Sequence, residues 1–118
     1  MKQFLGERRD GFFSAKVRVV DEFKNESKLL YHFKLERKYY HSPNGFEWGY
    51  GGSGPADLAY SILRDLGLTD EEAFPLYQDF KWDIIAKLPR EGFCLDEAMI
   101  IAWLEVRGIK NEVKAVVK

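Results

Sequence analysis

The chain has 118 residues, 46% apolar and 15% aromatic, which is enough for the core of one domain, 1–118, and too little for two. Its 18 Lys and Arg residues against 19 Asp and Glu leave a formal charge of −1, which argues against general nucleic-acid binding. One cysteine, Cys94, allows no internal disulfide and no cysteine-based metal site.

The opening MKQFLGERRD has charges where a signal peptide needs an apolar run, and the longest strongly apolar run, 98–104, is too short for a membrane span. A cytoplasmic protein without a membrane partner is expected. Lys and Glu are abundant and Asn and Gln scarce, a composition that resembles proteins from hot environments.

In chain order, KQFLGERR reads as a first strand with Gly11 in the following turn. In FFSAKVRVVDEF, Ala15, Val17 and Val19 alternate with Lys16, Arg18 and Val20, a strand with one wetter face. KNES is a polar turn, and KLLYHFKLERKYY then sets Leu29, Tyr31, Phe33 and Leu35 on one face, predicting an antiparallel hairpin. HSPNG is a second turn, with Pro43 and Asn44-Gly45 at its bends. FEWGY resumes the alternation, placing Phe46, Trp48 and Tyr50 together.

The period changes at Gly54. Leu58, Ala59, Ile62, Leu63 and Leu66 predict an amphipathic helix that Gly67 stops, with Gly54 as N-cap and Pro55 in the first turn. Thr69 and Glu72 form a capping box for a second helical segment. Pro75 divides it from a main helix over 76–88, with Tyr77, Phe80, Ile84 and Leu88 inward. LPREGF reads as a loop. Asp96 caps a last helix reaching about residue 107, with Met99, Ala102, Trp103 and Val106 on one side, and the tail from 108 is a frayed end or a short strand. Strands followed by helices give the α+β class: an N-terminal antiparallel sheet of three to four strands with about three C-terminal helices on one face.

The stretch GYGGSG, at the mouth of the first helix, invites a phosphate-binding reading, yet each specific motif fails. Gly49-x-Gly51-x-x-Gly54 has the dinucleotide spacing, but a second helix follows where a parallel strand ending in an acid is required. The same glycines fit a P-loop whose Lys-Ser/Thr pair is replaced by Pro55-Ala56. The nucleophile elbow fails because Pro55 holds its last glycine position. A general anion site built from the amides of Gly51, Gly52 and Ser53 survives, weakened by Pro55 and by Asp57, whose carboxylate at the helix mouth repels an anion. The alternative is structural: the glycines allow close packing, and Ser53 and Asp57 cap the helix.

Elsewhere, Arg37, Lys38, Tyr39, Tyr40 and His41 form a basic-aromatic cluster that suits a nucleotide or a protein interface equally. Glu47, between Phe46 and Trp48, points away from their face, into solvent or as a polar anchor in a cleft. His32 falls on a solvated strand face, and Cys94 reads as a small core residue. No spacing suits a metal, and no cofactor is implied.

The segment HSPNGFEWGYGGSGPADLAYSIL resembles the signature of an uncharacterised family of short bacterial and bacteriophage proteins, a domain of unknown function. The match covers His41, Ser42, Pro43, 45–54, Pro55, Ala56, Leu58 and Ala59, and the rest of the chain agrees in kind. The resemblance implies no activity; it implies a mobile-element setting in which small proteins regulate host systems. The expectation is therefore non-catalytic: a host protein engaged through the aromatic junction, Tyr39, Tyr40, His41, Glu47, Trp48 and Tyr50. The alternative is a small phosphorylated ligand held by Gly51, Gly52 and Ser53 with Arg37 and His41. An enzyme requires His41, Glu47 or Asp57 to converge in one cleft.

Overall fold

The structure is a computed structural model that describes residues 1–8, 15–33 and 45–108. Its sheet has four antiparallel strands in the order β3-β2-β1-β4: β1 (Lys2–Glu7), β2 (Lys16–Asp21), β3 (Glu26–Leu29) and β4 (Gly92–Asp96). The hairpin of β2 and β3 forms, but it turns at 22–25 rather than 24–27, with Asn25 at φ +52°. Strand β3 ends at Leu29, and Leu30 is buried while Leu29 and Tyr31, expected to face inward, are exposed; Leu35 lies outside the described residues. The α+β class and the one-sided sheet hold.

The fourth strand differs from expectation. FEWGY takes no strand pairing, and the edge beside β1 is filled instead by β4, from a stretch that reads locally as a loop and a cap. Val19, Phe4 and Leu95 lie in register across β2, β1 and β4, and all three are buried. Beside that row, the Phe93 ring occupies the space above Gly6, where a Cβ would sit 2.2 Å from it. Cys94 falls on the opposite face and is exposed, so it is not a core residue.

Helix α1 (Ser53–Asp65) is the centre of the molecule, buried on every side from Gly54 to Leu63. It ends where Leu68 N–H donates to the Leu63 carbonyl and Gly67 takes φ +108°, a left-handed C-terminal turn. The short α2 (Asp70–Ala73) has both halves of the Thr69/Glu72 capping box. The expected helix over 76–88 is instead α3 (Tyr77–Asp83), which breaks at Ile84 into a 3-10 turn, Ile85–Lys87.

Helix α4 (Glu97–Val106) is rotated from its expected orientation: Glu97, Ile100 and Leu104 are buried, while Met99 and Val106 are exposed. Glu97 is drawn inward because its carboxylate accepts the backbone N–H of Lys2. The Lys2 ammonium in turn reaches the Asp65 carboxylate at 3.0 Å, tying β1 to the end of α1.

Candidate functional site

Residues 45–52 lead into α1 as an extended loop. Gly49 has φ +87°, a conformation that favours glycine, and its N–H donates to the Ile85 carbonyl at 3.0 Å. Two further glycines are needed for close approach. A Cβ on Gly51 would lie 2.1 Å from the Trp82 ring, and one on Gly54 would lie 2.8 Å from Glu47 Cβ. The glycine-rich run is therefore a packing junction, as the structural alternative requires.

The aromatic residues of the junction divide. Trp48 is wholly buried, edge-on to Phe93 with ring centroids 5.0 Å apart, and Phe46 is half-buried against the His32 ring. Trp48 is thus a core residue and not a contact for partners. Its Nε1 has no partner among the described residues. Tyr50 alone of these three is exposed, at 42%, with the Arg90 guanidinium 5.2 Å from its ring centroid. Trp82, 55% exposed, lies against Gly51, the residue that follows Tyr50 in the chain.

Glu47 is a structural anchor. It accepts two bonds from Arg8, at 2.6 and 3.2 Å, and the same guanidinium lies 4.4 Å from the Trp48 ring centroid. A bidentate pair of this kind holds the loop to the end of β1.

Asp57 differs most from expectation. The N-cap of α1 is Gly52, two residues before Gly54, so Asp57 lies beyond the first turn, which itself contains no acid. Its carboxylate is 98% buried and lies 3.1 Å from His32 Nε2, joining α1 to the segment after β3. His32 is accordingly a partner for a buried acid and not part of a solvated face. One turn on, Ser61 Oγ accepts the N–H of Phe33 at 3.0 Å. Ser53 caps nothing with its side chain.

A second polar group lies behind α1. Tyr60 donates to Asp70 at 2.6 Å and accepts from Arg64 at 2.8 Å. Burial, then the bond to Asp70, pushes the Tyr60 hydroxyl up to about 12, with Arg64 opposing. Burial also raises Tyr77, a Gln78 hydrogen bond opposes it, and the charge of Asp57 adds to it. On the outer side of α3, Asp83 accepts from Trp103 Nε1 at 2.9 Å and from Arg107, and these bonds, the indole's first, lower its carboxyl.

Lys81 is the residue that the sequence reading misses. It is 93% buried, its Nζ lies 4.3 Å from the Trp82 ring centroid, and burial lowers its ammonium below the usual lysine range. No carboxylate pairs with it among the described residues. The spacing held a signal: Lys81 follows Tyr77 by four residues, which puts it on the same inward face.

Arg37, Tyr39, Tyr40 and His41 lie outside the described residues, and with them the proposed convergence of His41 with Glu47 or Asp57. Glu47 and Asp57 each have other, separate partners. Among the described residues no group of three or more His, Cys, Asp or Glu is placed to hold a metal, and no helix is long and apolar enough to cross a membrane. Neither a curated protein nor a solved structure matches the chain. A family model does, over residues 5–106, which include all four strands in part or whole, the junction and every helix: the chain belongs to the Family of unknown function (DUF6166).

Proposed function

We propose that the chain is a non-catalytic binding protein that engages another protein through the face formed by Tyr50, Trp82 and Arg90 at the mouth of α1. The observation that carries this reading is Trp82, an indole more than half exposed that rests on Gly51, next in the chain to the exposed Tyr50. Tyr, Trp and Arg dominate binding hot spots because each gives a large contact area for few rotatable bonds. The packing of Gly54 against Glu47 fixes the loop that carries Tyr50, which lowers the ordering cost of binding there. The bacterial and phage character of the resembling proteins makes a host protein the partner we infer, within a cytoplasmic setting.

The test is co-purification from cells that express tagged protein. Trp82→Ser is expected to lose the co-purifying protein, while Phe23→Ser, an exposed aromatic change on the β2–β3 turn, retains it. Equal retention by both variants would refute the assignment of this face.

A further inference from the structure

We propose that the outer edge of β3 is a self-association site, where a second copy of this chain adds its own β3 antiparallel across a two-fold axis. The two sheets then join into one. This contact goes beyond the binding face described above and does not rest on it.

The direction of the backbone groups carries the inference. In an antiparallel pair, opposed residues alternate between those that exchange both backbone bonds and those that exchange neither. Leu30 N–H donates to the Val17 carbonyl at 2.9 Å, which fixes the phase: Leu30, Lys28 and Glu26 turn their backbone groups toward β2. Ser27 and Leu29, opposite Val20 and Arg18, therefore turn theirs away, and Tyr31 continues the alternation. Strand β3 is the last of the sheet on that side, and the backbones of these three residues have no partner among the described residues. Such a row of unpaired donors and acceptors is a template for another strand. Leu29 and Tyr31, 53% and 66% exposed, lie on the Arg18 side of the sheet, so pairing at this edge also takes apolar surface out of water.

The limits of the open edge identify a second copy as its occupant. Asn25 N–H donates to the Glu22 carbonyl at one end, and Phe33 N–H donates to Ser61 Oγ at the other. The open groups are thus those of Ser27, Leu29 and Tyr31, with Leu29 at the centre. The same edge turned about an axis at Leu29 matches this set at every position. Leu29 meets Leu29 of the second copy and Ser27 meets its Tyr31, each pair with both bonds made. A slip of the register in either direction leaves one of the three residues unmatched. The slip toward the turn also sets Lys28 directly against Lys28, and like charges in that position destabilise a pair. The centred register sets Lys28 opposite Leu30, where its stem lies on apolar surface with the ammonium in water, and Glu26 opposite His32. No like charges then face each other.

The test is the mass of the full chain in solution, followed by light scattering over a dilution series, with amide hydrogen exchange read at Leu29 and Tyr31. The chain is expected to pass from monomer to dimer as its concentration rises, and those two amides are expected to exchange more slowly in the dimer. Leu29 is exposed, so charged replacements there are expected to keep the melting temperature of the monomer. Leu29→Lys and Leu29→Glu each put like charges on the axis. Each is expected to weaken self-association by about tenfold or more, through repulsion and lost apolar contact. An equimolar mixture of the two variants sets the new ammonium against the new carboxylate and is expected to restore the dimer. A monomer at every concentration would overturn the proposal, as would a dimer that both variants retain or a mixture that regains no dimer.

Discussion

At Gly54 two effects of a methyl group oppose each other. Alanine favours a helix over glycine by about 1 kcal/mol. Here, however, its Cβ would meet Glu47 Cβ at 2.8 Å and the Glu47 backbone N at 3.3 Å, atoms that the Arg8 bonds hold in place. Overpacking of this kind costs about 1–3 kcal/mol, so Gly54→Ala is expected to lower the denaturant midpoint despite its better helix propensity. The Gly51→Ala clash is with an exposed indole that can swing aside, so that variant is expected to keep its stability and to change tryptophan fluorescence. At Asp57, replacement by Ala removes the acid that His32 faces and is expected to cost about 1–3 kcal/mol, measured by chemical unfolding.

The elements differ in how far their sequence reveals them, and the range of the deciding contact explains why. The capping box at α2 involves residues three apart, so Thr69 and Glu72 announce it locally; Thr69→Ala is expected to cost about 1 kcal/mol by the same unfolding measurement. The end of α1 at Gly67 is local in the same way. Strand β4 exists because Leu95 pairs with Phe4, some ninety residues away, and no local alternation records that. FEWGY has strand-like alternation, but its place is fixed by Trp48 entering the core and by Glu47 meeting Arg8. The orientation of α4 escapes the sequence because EAMIIAWLEV is apolar on most sides, leaving the Lys2–Glu97 bond to turn it. The junction was legible as a tight packing turn. The proposed binding face was not, since Trp82 comes from α3, which reads as an ordinary amphipathic helix.

For the molecule as a whole, α1 carries the polar groups that lock the layers together, and these give the fold an alkaline limit. The Tyr60 hydroxyl is pushed from 10.0 up to about 12 in the folded chain. A raised value means that the unfolded chain loses this proton first as pH rises. Stability is therefore complete below pH 10 and falls between about pH 10 and 12, by an amount on the order of 2–3 kcal/mol. Melting temperature against pH is expected to show that decline, and Tyr60→Phe is expected to lessen it. Tyr50 and Trp82 lie against the glycines that lead into the same helix, so the scaffold and the proposed binding face share one element. A photo-cross-linking amino acid placed at Tyr50, at Trp82 and at Phe23, in the cell the protein comes from, tests that claim most directly. The account predicts one common cross-linked protein from positions 50 and 82 and not from 23; cross-links from position 23 alone, or unrelated ones from 50 and 82, would contradict it.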